Sequence, residues 1–584
     1  MLRAFVVTAT FGMTWSLPPS HKFLSAGGKH TRSDLRIHRG ALIADIADSG
    51  VPVLADVNAS IIVAPAVLNA DVANVTVQWS GVPSPNRTTD WIGQVCVGYP
   101  IESYLEYAKI DAEPRWATGA GSLTFTVFRA RCSYEFRYFR GKQPLWPSGV
   151  VIATSNPLTW AGDPAAPFHV HSAFAGDAAT SMTLSFSTAG PPQGVVVQLG
   201  TSSGAYDMPN ATDAETTTYS ATDLCNAPAN ETSPDYYQPP GYFTHVLISG
   251  LQPATRYFAR PVANGAPGPE ASFITAAAAS PNADVTFAVF GDMSVTQWDY
   301  WEVRVLRHAW YLCYKVHHPP LPSLLHSMMQ NGTVANGPGA VGTSFRVREL
   351  IDRGGSDAPS FILHIGDLGY AKGYVAMWDS WMSMMTPMGI RAPYMISSGN
   401  HEYDYRYPSP RDPSGAGAMW RPSWWDGDVD SLGECGVGMA QRFRAPLSLG
   451  SNGIFWYAFE TGSVTVVTLS SEHDLSPNSS QGIFLERTLG GVDRARTPWL
   501  VVTQHRHMYH LSGAEAEQQR GYLDLLEPVF RRHHVDLVVM GHTHNTLRTC
   551  AVYNYTCTPG APVYVIRCVV GVTAPWRDAH SMSR

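Results

Sequence analysis

Residues 360–374 read Ser-Phe-Ile-Leu-His-Ile-Gly-Asp-Leu-Gly-Tyr-Ala-Lys-Gly-Tyr. Phe361 to Ile365 is a short, mostly apolar run, the pattern of a strand buried on both faces. It stops at Gly366, and a carboxylate and a phenol follow, Asp367 and Tyr370. A hard oxygen ligand past the end of a buried strand lies where an open α/β sheet builds its site, in the crevice beyond the strand carboxyl ends. Taken alone, Gly-Asp after a strand is an ordinary turn.

The design recurs, and recurrence overturns the plain reading. Val285 to Phe290 runs into Gly291-Asp292, and Tyr394 to Ser397 into Gly399-Asn400-His401-Glu402. Trp499 to Thr503 runs into Gln504-His505, and Val535 to Met540 into Gly541-His542-Thr543-His544. Sorted by chemistry, the strand ends carry two carboxylates (Asp292, Asp367), one phenol (Tyr370), one amide (Asn400) and three imidazoles (His505, His542, His544). That is enough for two metal ions side by side. Mixed oxygen and nitrogen donors suit Fe, Mn or Zn and suit Ca or Mg less. The set holds no cysteine, which argues against a structural zinc knot.

In order and type these blocks resemble those of the metallophosphoesterases, and the tyrosine at 370 makes the chain look like a purple acid phosphatase. Protein Ser/Thr phosphatases share the Gly-Asp and Gly-Asn-His-Glu blocks but lack a tyrosine at that spacing. The resemblance spans roughly residues 165–567. It implies that Asp292, Tyr370 and His544 bind Fe(III), that Asn400, His505 and His542 bind a divalent Zn, Fe or Mn, and that Asp367 bridges both. It further implies a secreted acid phosphatase that hydrolyses phosphate monoesters through a hydroxide bound at that dinuclear centre. His401 is then the group that faces the phosphate and protonates the leaving oxygen. Arg506 is a candidate for holding the phosphate. His507 stands where the family usually has proline, and is either an added acid or a solvent-facing side chain.

Two further departures concern the pocket. The family commonly continues Gly-His-x-His-x-Tyr-Glu-Arg, whereas Thr546 and Leu547 stand here at the Tyr and Glu positions. Ser294 follows Asp292-Met293, where Gly is usual. Two alternatives keep the same ligands in view: a phosphodiesterase or nucleotide pyrophosphatase, and a non-catalytic glycoprotein whose β modules bind.

Length and composition frame this reading. At 584 residues, several domains are expected. With 45% apolar and 15% charged residues the chain is of globular type, and a net charge of −7 without a basic run argues against nucleic-acid or anionic-membrane partners. Small phosphorylated substrates are the expected partners, and a homodimer is allowed.

Residues 1–20 read as a signal peptide, with an N-terminal strand as the alternative, and 21–58 as a leader or linker. Residues 59–162 read as a β domain, on alternating runs at Val75–Trp79, Leu123–Phe128 and Tyr134–Phe139. Residues 163–280 read as a second β module whose Leu251-x-Pro253-x-Thr255-x-Tyr257 resembles the tail of a fibronectin type III domain. The catalytic domain is placed at 284–567, with an insertion at about 295–345 and an atypical C-terminus at 568–584. The expected fold is therefore multidomain: N-terminal all-β sandwich modules, then an α/β metallophosphoesterase domain of mixed sheets flanked by helices. Within it, Trp378–Met388 and Tyr522–Phe530 read as amphipathic helices.

Export is supported by Asn-x-Ser/Thr sequons at Asn58, Asn74, Asn86, Asn210, Asn230, Asn331, Asn478 and Asn554, so N-linked glycans are expected in a secreted, vacuolar or lysosomal protein. Among eight cysteines, Cys550 with Cys557 and Cys96 with Cys132 are the two pairings that local placement suggests.

Overall fold

The computed structural model describes residues 2–4, 58–99, 104–141, 150–231, 238–294, 338–355, 357–425, 429–509, 516–544 and 546–567. The first β module is a sandwich. Antiparallel strands Ser60–Ala64, Val72–Ser80 and Gly121–Phe128 face a sheet ordered Tyr104–Lys109, Asp90–Cys96, Tyr134–Arg140, Val150–Thr154. Alternation decides which residues enter the core: Val75, Val77 and Trp79 are buried while their neighbours are not. Cys96 and Cys132 are joined.

The second module is also a sandwich. One sheet runs Phe168–Phe174, Met182–Thr188, Tyr242–Ile248, Asp213–Thr217, and the other is built on Val196–Gly200 and Arg256–Ala263. Tyr257 is buried, and its hydroxyl accepts the backbone N–H of Gln252 at 2.9 Å. That bond ties the late strand back to the turn before it, as in a tyrosine corner.

The remaining α/β domain holds two sheets. In the first, β1 (Val285–Phe290), β2 (Phe361–Ile365) and β3 (Tyr394–Ser397) pair in parallel, with Leu2–Ala4 parallel to β1 at the edge. The second runs β4 (Tyr457–Thr461), β5 (Val464–Thr468), β6 (Trp499–Thr503), β7 (Leu537–Met540), β10 (Val563–Arg567), β8 (Thr546–Tyr553) and β9 (Thr556–Cys557). Phe361, Leu363 and Ile365 point into the core between the sheets, with Val464, Val466 and Val501 opposite. Ile362 points the other way, toward the helices. Both faces are covered, so the strands are continuous apolar runs rather than alternating ones.

The helices are α1 (Pro338–Arg353), α2 (Val375–Gly389), α3 (Asn400–Tyr403), α4 (Val437–Arg442), α5 (Ser480–Gly490) and α6 (Ala516–Arg532). Helix α6 is amphipathic as read, burying Tyr522, Leu523, Leu526 and Phe530. Helix α2 is not: it is buried on nearly every face, because the N-terminal modules cover the side that would otherwise meet water. Its Asp379 pairs at 2.5 Å with Arg131 of the first module. The second module adds hydrogen bonds from His169 to Ser383 (2.9 Å), and from His171 and His245 to the carbonyls of Arg442 and Gln441 (3.1 and 3.0 Å).

Several expectations change at their edges. The strand expected at 535–540 begins at Leu537. Of the expected insertion, residues 338–345 belong to α1, while 295–337 lie outside the described residues, as do 5–57 and 568–584. The pairing of Cys550 with Cys557 forms, and so does Cys225 with Cys435 across 210 positions, which no local spacing announces. Among the described residues, no helix is long and apolar enough to cross a membrane.

Candidate metal centre

All seven expected donors come together at the carboxyl ends of β1, β2, β3, β6 and β7. Sharp turns there are what aim them inward. Asp292, Asp367, Tyr370, His542 and His544 all have left-handed backbone, with φ of 61°, 51°, 50°, 75° and 31°. A side-chain-bearing residue in that region costs about 1–3 kcal/mol and persists only where its surroundings impose it. Two glycines make the close approach possible. A Cβ on Gly366 would lie 2.6 Å from Nδ1 of His505, and one on Gly399 would lie 2.1 Å from Oδ1 of Asp367.

The donors sort into two groups, and Asp367 lies with the second. In one, the hydroxyl of Tyr370 is 3.1 Å from Nε2 of His544, which is 3.3 Å from Oδ1 of Asp292. In the other, Oδ1 of Asn400 lies 2.9 Å from Nε2 of His505 and 3.0 Å from Nδ1 of His542. Oδ2 of Asp367 is 3.2 Å from Nε2 of His505, and the donor atoms of Asp367, His505 and His542 all lie within 4.8 Å of one another. The donor chemistry, oxygen and nitrogen atoms without sulfur, fits a pair of cations.

The supporting contacts orient the donors. Nδ1 of His505 bonds the carbonyl of Ile365 at 2.9 Å, which turns Nε2 toward the centre. Asn400 donates its amide to Asp430 at 2.8 Å, which turns its oxygen inward. Glu402 accepts the backbone N–H groups of Asp367, Leu368 and Gly399 at 2.7–3.1 Å, so the last residue of Gly-Asn-His-Glu clamps the turn that carries Asp367.

Electrostatics agree with the geometry. Burial opposes charge on Asp292 and Asp367, yet the surrounding imidazoles outweigh it and hold both carboxyls below the usual range. Burial also opposes charge on His505, but Asp367 and Asp292 lift it to about 10. Buried carboxylates and imidazoles gathered in this way suit a cation.

His401 sits at the rim. Its ring lies against Tyr370, centroids 4.1 Å apart, its backbone N–H donates to Oδ1 of Asp367 at 3.1 Å, and its side chain is 14% exposed. Two expectations are corrected. Arg506 does not offer its guanidinium to a phosphate. It is buried, bonded to Glu472 (3.0 and 3.1 Å) and Asp404 (2.8 Å), covered by Trp425 at 4.0 Å, and 3.3 Å from Nε2 of His542. His507 faces no solvent: it is buried, with its ring stacked on His542 at 5.7 Å. Leu547, where Glu is usual, is buried in β8. The sequence reading missed Asp430, Asp404 and Glu472. Asp404 lies two residues beyond the quoted Gly-Asn-His-Glu block, whereas Asp430 and Glu472 come from loops that no ligand motif marks.

Two family models match the chain: the purple acid phosphatase N-terminal domain over residues 167–275 and the calcineurin-like phosphoesterase over 285–546. "Probable inactive purple acid phosphatase 9" of Arabidopsis thaliana is 27% identical across 87% of this chain and 75% of its own length. A "nucleotide pyrophosphatase/phosphodiesterase" of Hordeum vulgare is 33% identical across 38% of this chain and 55% of its own. The solved structure of purple acid phosphatase PPD1 from yellow lupin (Lupinus luteus) seeds shares the fold, with a TM-score of 0.66 at 23% identity over 88% of this chain and 87% of that one.

Proposed function

Because the chain belongs to the purple acid phosphatase family, in its long plant-type form with an N-terminal domain ahead of the phosphoesterase domain, we propose that it is an active acid phosphatase hydrolysing phosphate monoesters. The observation that carries this reading is the complete donor set, sorted into two groups with Asp367 in the second. Some long relatives bear "probable inactive" in their names; no donor is missing here.

In this reading Asp292, Tyr370 and His544 hold Fe(III), a phenolate and a carboxylate suiting a hard trivalent ion. Asn400, His505 and His542 hold divalent Zn, Fe or Mn, and Asp367 serves both. Bound there, the two cations supply an activated water and offset charge on the phosphoryl oxygens. His401, at the rim and held against Tyr370, is placed to deliver a proton to the departing oxygen. Glu402 keeps Asp367 aimed through the turn it clamps. Arg506 and His507 act from behind, packing the imidazole of His542 in place.

The likeness to the barley protein favours a second reading, in which the same centre cleaves phosphodiesters or nucleotide pyrophosphates. The exposed sequon asparagines Asn58, Asn74, Asn86, Asn210, Asn478 and Asn554 support a glycosylated, exported protein. One experiment sorts the readings: purified full chain, analysed for metal, is assayed in acid medium on a nitrophenyl phosphate and on its bis-ester. Turnover of the monoester supports the proposal, and preference for the bis-ester supports the second reading. Two bound metals with no turnover of either leave a non-catalytic protein.

A further inference from the structure

The loop at residues 430–436 fastens one donor of the centre to the rest of the molecule. At its start, half-buried Asp430 accepts the amide N–H of Asn400 at 2.8 Å. From there the loop is tied at almost every residue. Ser431 donates its backbone N–H to the carbonyl of Asp404 at 3.2 Å, and Gly436 to that of Glu402 at 2.6 Å. Glu434 accepts from the N–H of Gly373 at 2.9 Å and from the indole of Trp378 at 2.6 Å. Cys435 is bonded to Cys225 of the second β module, whose N–H also reaches the carbonyl of Gly433 at 2.9 Å.

The chemistry of the amide explains what such a fastening does. A carboxamide presents an oxygen and an NH2 group of nearly the same shape, and only the oxygen can ligate a cation. Nothing in the size of the side chain distinguishes the productive orientation from its reverse. An ionised carboxylate accepts and does not donate. Opposite Asp430, the NH2 group of Asn400 is the satisfied partner and the reversed amide would set oxygen against oxygen. The oxygen is thereby committed to the space between His505 and His542.

We propose that Asp430 is a positioning residue for the divalent half of the centre, fixing the amide orientation of Asn400 from a loop stapled to the β module by Cys225–Cys435. This rests on the metal centre proposed above. Asp430→Asn is the discriminating change, since its own amide can satisfy Asn400 in either orientation. A carboxylate at 400 needs no orienting, because its two oxygens are equivalent. The pair Asn400→Asp with Asp430→Asn therefore restores one defined arrangement.

The test dialyses wild type and variants, as the full chain, against graded chelator and counts metals per chain, with circular dichroism as the check on folding. Wild type is expected to keep two metals. Asp430→Asn is expected to keep one and release the other at about 10–100-fold lower chelator, the usual effect of losing an outer partner of a metal ligand. The double variant is expected to recover retention. A purely structural role for Asp430 would not be repaired by a change at 400. Two metals held by Asp430→Asn as tightly as by wild type overturn the proposal and leave the centre standing, as does a double variant no better than the single. A folded wild-type chain with no metal overturns both.

Discussion

Arg506 and Asp404 form an ion pair of 2.8 Å in which both side chains are buried, directly behind the imidazole of His542. Glu472 meets the same guanidinium at 3.0 Å and is hydrogen-bonded to Asp404. Burial pushes the Asp404 carboxyl well up, and Glu472 beside it pushes further. Against the same burial, Arg506 holds Glu472 down.

Removing the guanidinium would leave two carboxyls facing each other without a counter-charge. Arg506→Leu is therefore expected to lose about 3–5 kcal/mol of stability, the usual cost of breaking a buried pair from one side. Urea unfolding checks this. A change below about 1 kcal/mol would show that the two acids share a proton and need no arginine.

Tyr370 is 99% buried, with its hydroxyl beside His544. If it carries phenolate to Fe(III), the purified protein is purple and Tyr370→Phe is colourless, with the metal count and thermal midpoint little changed. A visible spectrum before and after the substitution decides it. A colour that survives Tyr370→Phe places the absorbing group elsewhere.

Asp367→Asn tests the bridge. The carboxylate proposed to serve both cations becomes an amide with a single acceptor oxygen. Metal retention and turnover are expected to fall together. Elemental analysis of the variant beside a phosphatase assay would expose the contrary case, an active Asp367→Asn protein.

The seam between the second β module and the catalytic domain is sensitive to acid. Burial lowers His171 from 6.5 to about 4, and it pushes His169 and His245 well down. For His171 the folded pKa lies below the unfolded one, so its contribution is complete above pH 6.5 and is lost as pH falls through 4. That single residue accounts for on the order of 3 kcal/mol. Arg129, Arg131 and Arg442 near His169, and Arg444 near His245, push those imidazoles the same way as burial does, while Asp71, Asp379 and Glu215 pair with Arg129, Arg131 and Arg444. Thermal midpoints measured from pH 7 to 4 should fall, and His171→Gln should flatten the fall. A flat wild-type profile would contradict this.

The strands that carry the donors were readable because parallel strands buried on both faces leave long apolar runs, and each run here stops at a polar residue with metal-binding chemistry. Phe361–Ile365 ending at Gly366-Asp367 is the plainest case. The assignment of donors to two cations came from the family resemblance rather than from spacing. Misreadings arose where long-range contacts decide. Arg506 looks available when only its neighbour His505 is in view; Glu472 and Asp404 reach it from 34 and 102 positions away. Asp430 reaches Asn400 from 30 positions away, and Cys435 reaches Cys225 from 210. Helix α2 carries the polar residues of a surface helix, yet Asp379, Ser380 and Ser383 are each bonded to a β module rather than to water.

That enclosure of α2 limits how the chain can be shortened. Cut ahead of Val285, the remaining fragment would leave Asp379 without Arg131, Ser380 without Tyr134 and Ser383 without His169. Polar groups left without their partners in that way destabilise the helix that carries them. The β modules thus serve the phosphoesterase half as its missing outer wall, and a trimmed version would first need a new exterior designed for one helix.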